Sequence, residues 1–442
     1  MPSLRDLTRT GLWVALYALL AIFPLLLLLA APAPWGGGLV EELASALGFL
    51  ALSILAMQFL LTARFQWLAP PFGTDLVYFF HRHVTWVALL FAALHPVLLF
   101  GSSLRDALHY FWPLAAPWEI AAGTWALYAL VALSLTSFLR KRLKLPYEPW
   151  RRLHGVLAVV VVLGALWHAS QAGRLLSRPV VRWLWMAWML GWVGLLVRVR
   201  VVKPLVLLRR PWTVVEVRRE AGDAVTLALE PDGHPGFRFR PGQFVWLTLG
   251  GSPFAAAEHP FSISSSSQAA PRVELTVKAL GDCTRALQST PVGARAYVDG
   301  PYGTMSIDGF PDADSFVFVA GGVGIAPCVS MLRTLADRGD RRHHLLVYAS
   351  SQLERTPFRE ELARLQQRLD LKVVHVLEKP PEGWAGEVGY VTEALLDRWL
   401  PRGGRHGHFV CGPPPMMDSV ERSLQRLHVP FADLHAERFD LV

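Results

Sequence analysis

Apolar stretches of about 20 residues, the length a helix needs to cross a bilayer, recur near 11–31, 43–62, 78–101, 118–138, 153–170 and 180–198. No other feature constrains the fold as strongly. Hydrocarbon offers no partner to a peptide group, so each stretch must satisfy its own backbone as a helix. Six membrane-spanning helices are expected. The first, with Arg5 and Arg9 ahead of it, has the flank of a signal peptide. It is long, lacks a clear small-residue cleavage site and belongs to a series, so it reads as a retained helix. The whole-chain mean hydropathy of +0.33 is carried by this half.

Basic residues orient the series. "RKRLKLPYEPWRR" at 140–152 follows the fourth stretch and "RVRVVKPLVLLRR" at 198–210 follows the sixth. Positive charge stays on the cytoplasmic side, which places the N-terminus, both loops and the whole C-terminal half in the cytoplasm and the chain in the cell membrane. The net charge of +8 is largely this topological signal, and a nucleic-acid reading gains little from it. A basic patch for anionic lipid is compatible with the same topology and adds no function.

From about residue 211 strand-like segments with turn residues take over: "WTVVEVRRE", "AVTLALEPDG", "QFVWLTLGG", "RVELTVKALG" and "ARAYVDGPYG". They describe a small antiparallel β-barrel. After about 312, apolar strands "SFVFVAGG", "HLLVYASS", "LKVVHVLE" and "GHFVCGP" alternate with helical segments "CVSMLRTLADRG" and "PFREELARLQQRL", the pattern of a parallel α/β domain. The expected organisation is therefore multi-domain: an all-α six-helix transmembrane bundle over 1–207, a barrel over 208–310 and an α/β nucleotide-binding domain over 311–442. Cys283, Cys328 and Cys411 make no CxxC pair, so reduced thiols are expected, with neither disulfide nor iron–sulfur cluster.

Ionisable groups at membrane depth are functional candidates. In "HRHVTWVALLFAALH", His81 and His95 lie 14 residues apart. On a helix that spacing is about 40° short of four turns, with a rise of roughly 21 Å, so both share one face at two depths. "HGVLAVVVVLGALWH" repeats the spacing with His154 and His168. The third and fifth helices run in the same direction, so His81 meets His154 near the cytoplasm and His95 meets His168 nearer the outside. Imidazole ligates haem iron, and two stacked bis-histidine b-type haem sites follow; a proton path or a metal-transport site is the alternative. A lone buried histidine would as readily be a packing residue, but two identically spaced pairs are not. His83 points about 200° away from His81 and is structural. Arg82 either meets a haem propionate or snorkels towards the interface.

In the soluble half, "RPGQF" (240–244), "HPFSISS" (259–265) and "VKALGDCT" (277–284) fall in the barrel, the last with a Gly turn before a helix whose N–H groups can face a phosphate. "AGGVGIAP" (320–327) follows a buried strand and precedes a helix, so its glycines let the backbone approach a pyrophosphate; it is not a GxGxxG fingerprint. "CGPPPM" (411–416) ends a later strand at the same sheet edge.

In this order the motifs resemble the flavin and nucleotide domains of the ferredoxin–NADP reductase superfamily. His259, where soluble members usually carry Arg, resembles the membrane branch, the NADPH oxidases and ferric reductases, here of prokaryotic type. The resemblance implies that His259, Pro260, Phe261 and Ser262 line the FAD isoalloxazine and pyrophosphate, with Gly281 and Thr284 on the diphosphate side and Arg240, Pro241, Gln243, Val277 and Lys278 in the same cofactor set. It implies Gly321, Gly322, Gly324 and Pro327 at the nucleotide pyrophosphate, Cys411, Gly412 and Pro413 beside the nicotinamide, and Phe439 of "ERFDL" over the flavin. Ser350 and Ser351 suit a 2′-phosphate, but the arginine often beside them is Ser351 here, with Arg355 a substitute; the nucleotide is NADPH or NADH.

The implied activity is electron transfer from NAD(P)H through FAD and the inner and outer haems to an external acceptor. A membrane transporter or receptor with a nucleotide-sensing domain is the non-catalytic competitor. The expected outer loops, 32–42, 102–117 and 171–179, hold no cluster suited to a bare transition-metal ion. Dioxygen, needing only access, is the leading acceptor, ahead of a ferric chelate and of quinone or protein acceptors. No obligatory protein partner is expected.

Overall fold

The computed structural model describes residues 4–30, 38–64, 74–100, 103–172, 176, 178–255 and 257–438. The chain forms two compact units, one built from Thr8–Pro70 and Leu76–Lys203 and the other chiefly from Pro204–Val442.

The first unit is helical: α1 (Leu4–Ala30), α2 (Leu39–Thr62), α3 (Thr74–Phe100), a short α4 (Leu104–Phe111), α5 (Trp118–Phe138), α6 (Tyr147–Ala172) and α7 (Pro179–Val197). A π-helical turn over Arg198–Val202 then leads to α8 (Lys203–Leu208) in the second unit. Where the sequence leads one to expect a basic loop after the sixth stretch, the helix continues to Leu208, because Val and Leu fill the positions between the basic residues. Among the described residues five helices are long and apolar enough to span a bilayer: Leu39–Thr62, Leu76–Phe100, Trp118–Phe138, Tyr147–Gln171 and Pro179–Leu208. The apolar part of α1, Gly11–Leu27, is shorter, about 25 Å against a hydrocarbon core of about 30 Å. Five spans, rather than the expected six, therefore meet the length criterion. Trp185 and Met189 of α7 and Phe49, Ala56 and Met57 of α2 form a buried seam, while Leu90, Val97, Val156 and Leu163 are exposed, the inside-out distribution suited to lipid.

The second unit holds two sheets. Strands β1 (Trp212–Glu220), β2 (Ala224–Pro231), β3 (Phe244–Leu249), β4 (His259–Ser262), β5 (Val273–Lys278) and β6 (Arg295–Tyr302) form an antiparallel sheet in the order β4-β3-β6-β1-β2-β5. An Ile263–Leu275 bridge and the Ser264 N–H bond to Glu274 O join its two edges, closing the barrel. Helix α9 (Asp282–Leu287) follows β5.

The second sheet is parallel throughout: β7 (Ser315–Gly321), β8 (His344–Ser350), β9 (Leu371–Leu377), β10 (Glu387–Val388), β11 (His406–Cys411) and β12 (Leu434–Ala436), ordered β10-β9-β8-β7-β11-β12. Helices α10 (Ile325–Asp337), α11 (Arg359–Arg368), α12 (Glu393–Trp399) and α13 (Pro414–Arg426) alternate with the strands. Phe316, Phe318 and Tyr348 bury one face under α10 and α11, and Val317, Val319 and Val347 the other against α12 and α13. Both faces are covered, so β7 and β8 read as unbroken apolar runs. The strand order reverses between β7 and β11, which makes the carboxyl end of that pair the expected ligand crevice of such a sheet.

Candidate functional site

The four membrane histidines meet in two pairs. His81 of α3 faces His154 of α6 with ring centres 6.4 Å apart, and His95 faces His168 at 6.1 Å. The hydrogen bonds behind the rings decide which nitrogen is bare. His95 Nδ1 lies 2.8 Å from Ala44 O and His168 Nδ1 2.8 Å from Glu119 O. A carbonyl only accepts, so both Nδ1 atoms carry the hydrogen. Ser137 Oγ donates to Leu133 O at 2.6 Å, so it accepts from His154 Nδ1 at 3.1 Å. Gln58 Nε2 donates to Ile54 O at 2.9 Å, which turns Oε1 to His81 Nδ1 at 2.8 Å. All four imidazoles therefore hold Nε2 as a lone-pair donor, the arrangement by which proteins orient metal-ligating histidines.

Glycines make room for the outer pair. A Cβ on Gly48 of α2 would come within 3.0 Å of the His95 ring, and one on Gly123 of α5 within 2.8 Å of the His168 ring. In both cases the carbonyl that fixes the ring lies four residues before the glycine, so one local device is used twice. Near the other pair, Arg200 of the π turn lies over Gly155, beside His154. His83 is exposed, bonded to Phe79 O at 2.7 Å and tilted over the Phe79 ring, in keeping with its structural assignment. Arg82 is exposed.

Metal–imidazole bonds are about 2.0 Å long, so ring centres 6.4 and 6.1 Å apart would let His81 with His154, and His95 with His168, hold a haem iron between them, which would supply one-electron transfer. Among the described residues no group of three or more His, Cys, Asp or Glu side chains is placed to hold a metal ion. Two imidazoles alone make a poor ion site, and a macrocycle that brings its own equatorial nitrogens suits this donor set.

In the barrel, β4 is an edge strand whose His259, Pro260, Phe261 and Ser262 are all half-buried, pairing with Leu247, Trp246, Val245 and Phe244 of β3. "RPGQ" forms the turn before β3. Gln243 accepts from Arg240 N and donates to Gly303 O, and Pro241 is buried while Arg240 is exposed. Gly242, at φ +96°, has no room for a Cβ beside Met305 O. Val277 and Lys278 end β5 opposite Val225 and Ala224. Helix α9 opens at Asp282 behind Gly281, and the Thr284 hydroxyl accepts from Leu280 N and Gly281 N, so it organises the turn.

At the strand-order reversal, Gly321 ends β7, Gly322 follows it and Gly324 precedes α10, which holds Pro327 in its first turn. Cys411 pairs with Ala320 across β11 and β7. The two loops pack backbone to backbone: a Cβ on Gly324 would lie 2.6 Å from Cys411 O, and one on Gly412 2.9 Å from Met416 Cε and 3.1 Å from Gly321 N. A Cβ on Gly321 would strike Pro413 Cδ at 2.8 Å. Tyr348 donates to Gly322 O at 3.0 Å and pins the loop from below. Burial, with the Glu437 carboxylate nearby, pushes the Cys411 thiol up to about 12, so Cys411 is a neutral wall of the site. Glu437 is itself buried, its carboxylate against Gly303. Ser350 Oγ bonds Thr356 Oγ1 at 2.7 Å and Ser351 is exposed. Arg355 is held by the carboxylate of Asp223 from the β1–β2 turn. Phe439 lies outside the described residues.

Sequence reasoning did not reach Gln58, Ser137, Gly48, Gly123, Tyr348 or Glu437. A glycine within an apolar helix was the one available signal, for Gly48 and Gly123.

Comparison with known proteins assigns three regions. Residues 47–165 match the ferric reductase like transmembrane component, 209–306 an FAD-binding domain and 318–422 the oxidoreductase NAD-binding domain. The glycine betaine monooxygenase reductase subunit of Chromohalobacter salexigens is 30% identical over 232 residues, covering 51% of this chain and 62% of that protein. NADH-cytochrome b5 reductase 1 of Cryptococcus neoformans var. neoformans serotype D is 32% identical over 164 residues, 34% of this chain and 54% of that one. The chain thus spans less than two thirds of the length of these relatives. Among solved structures, the Amycolatopsis cytochrome P450 reductase superposes with a TM-score of 0.47 at 26% identity over 52% of this chain and 69% of that one. The chain is a membrane component joined to flavin- and nucleotide-binding domains. Their order is the architecture of the NADPH oxidase and ferric reductase superfamily.

Proposed function

We propose that the chain is a transmembrane oxidoreductase of the cell membrane that carries electrons from cytoplasmic NAD(P)H through FAD and two b-type haems to an acceptor on the outer face, with dioxygen, reduced to superoxide, as the leading acceptor. The observation that carries this reading is the shared pattern of His81, His95, His154 and His168, each with Nδ1 engaged by a neighbouring acceptor, which leaves Nε2 as the lone-pair nitrogen, in two pairs with ring centres 6.4 and 6.1 Å apart. When bound, the nicotinamide supplies a hydride, the flavin converts two electrons to one at a time, and the haems pass them singly.

The residues bind and orient. His259, Pro260, Phe261 and Ser262, with Arg240, Pro241, Gln243, Val277, Lys278, Gly281 and Thr284, would hold FAD within 208–310. Gly321, Gly322, Gly324 and Pro327 would hold the nucleotide pyrophosphate, with Cys411, Gly412 and Pro413 beside the nicotinamide and Phe439 covering the flavin, within 311–442. Counting α1 as the sixth span of 1–207 puts the N-terminus in the cytoplasm with the basic segments. Because Asp223 holds Arg355, the charge that would favour NADPH at Ser350 and Ser351 is partly neutralised, and NADH is an equal candidate. A ferric chelate is the second acceptor.

The test is haem content and electron flow in the purified full-length protein. His154→Leu is expected to lose about half the haem and all reduction of external acceptors while NAD(P)H still bleaches the flavin; unchanged haem overturns the haem reading. Cytochrome c reduction by the native protein is expected to be suppressed by superoxide dismutase. Dismutase-insensitive reduction, with fast anaerobic reduction of ferric citrate, replaces dioxygen by the chelate.

A further inference from the structure

The two histidine pairs differ in what holds them. The His95 and His168 Nδ1 hydrogens go to main-chain carbonyls, Ala44 O and Glu119 O, each of which already serves its own helix. His81 instead donates to a side-chain amide, Gln58 Oε1, 7% exposed on α2. That amide is itself held: Nε2 donates to Ile54 O at 2.9 Å and to Tyr17 OH of α1 at 3.3 Å. An amide whose N–H groups are engaged carries more charge on its oxygen, since hydrogen bonds in a chain polarise one another. A carbonyl shared with a helical N–H spreads its charge over two donors. His81 is therefore the more strongly electron-donating ligand, because an acceptor behind a ligating imidazole raises its basicity.

We propose that Gln58, held by Tyr17, is the positioning residue that lowers the reduction potential of the haem held by His81 and His154. The inference rests on the haem reading above. A more basic axial ligand favours ferric over ferrous iron, so the potential of that site falls relative to the other. Gln58 touches neither electron donor nor acceptor and acts through His81 alone.

Potentiometric titration of the purified full-length protein, followed by haem absorbance and low-temperature electron paramagnetic resonance, tests this. Two reduction waves are expected in the native protein, and His154→Leu identifies the wave that belongs to His81 by removing it. Gln58→Leu deletes the acceptor and is expected to move that wave up. Gln58→Glu puts a carboxylate behind the ring and is expected to move it down, with the other wave unmoved in both. Tyr17→Phe, which keeps Gln58, is expected to give a smaller upward shift and serves where Gln58→Leu does not assemble. A merely structural role cannot order Glu, Gln and Leu in this sequence. A native protein without haem refutes the functional reading itself. Two haem waves that Gln58→Glu and Gln58→Leu, or Tyr17→Phe in its place, fail to move in opposite directions refute the inference and leave that reading standing.

Discussion

Replacing Gly123 by alanine adds one carbon, which would lie 2.8 Å from His168 Cγ, 2.9 Å from Nδ1 and 3.0 Å from Cδ2. Carbon–carbon contacts relax at about 3.5–4.0 Å, so the ring must retreat by roughly 0.8 Å or the helices must part. Parting is hindered by the close seam of α5 and α6, where a Cβ on Gly164 would already sit 3.2 Å from Ala126 Cβ and 3.3 Å from Ala122 O. Metal–ligand distances tolerate only about 0.2 Å, and loss of a supporting contact costs about 10- to 100-fold in affinity. Gly123→Ala is therefore expected to weaken haem at the His95–His168 site by about 1.4–2.8 kcal/mol. Alanine strengthens an isolated helix by roughly 0.5–1 kcal/mol relative to glycine, so a loss cannot come from helix propensity. The assay is the haem-to-flavin ratio of purified protein with the spectrum of the remaining haem. Gly194→Ala on α7, where a Cβ meets nothing within 4 Å, is the control. Gly48→Ala, 3.0 Å from the His95 ring, is expected to have a smaller effect than Gly123→Ala. Two full haems with native spectra in Gly123→Ala refute the claim that His168 is seated on that glycine.

Three further outcomes are expected. Arg333, bonded to Glu361 and Glu274 with all three side chains largely buried, also donates to Ser264 O; Arg333→Met strips Glu361 of its guanidinium while Glu274 keeps Arg218 and Arg272, and should cost up to about 3 kcal/mol, read as earlier thermal release of flavin, with Arg333→Lys partly restoring it. Burial holds His344 and His408 down to about 4 from the usual 6.5, so the unfolded chain takes up protons first: the nucleotide-binding half should be fully stable above pH 6.5 and lose on the order of a few kcal/mol as pH falls from 6.5 to 4, and a flat pH profile of unfolding over that range contradicts the burial argument. Asp223→Asn releases Arg355 at the Ser350–Ser351 turn and, for a pair this exposed, should raise kcat/KM for NADPH relative to NADH by up to about 5-fold; an unchanged ratio removes Arg355 from nucleotide choice.

The legibility of the chain follows the range of the forces involved. The His81–His95 and His154–His168 spacings are properties of single helices, so one sequence period was enough to single out the four rings that lie 6.4 and 6.1 Å apart in pairs. The barrel and the parallel sheet were readable because their strands carry local alternation or unbroken apolar runs. The two-residue β10 and three-residue β12 are too short to leave a pattern, and α4 leaves an amphipathic turn easily read as loop. Gln58, Ser137, Gly48 and Gly123 were unreadable for another reason: each acts on a histidine of a different helix, and nothing in its own neighbourhood announces the partner. The glycines of "AGGVGIAP" read in the sequence as room for a phosphate, and Gly321 and Gly324 are also required by the crossing of the "CGPPPM" backbone.

Helix α10 touches both halves of the second unit. Its N-terminal end continues the Gly321–Gly324 loop, while Ser330 Oγ donates to Ser265 O, Arg333 reaches Ser264 O and Glu274, and Thr334 accepts from Ser267 N, all on the barrel. In evolutionary terms the helix belongs to two modules at once. An exchange of nucleotide-binding halves between relatives cut at residue 311 would carry the Gly321–Gly324 loop intact and sever the helix from the surface it was fitted to. Recombinants that survive should be those in which residues 264–274 travel with α10, so that the inheritable block of this chain crosses the boundary between its two sheets.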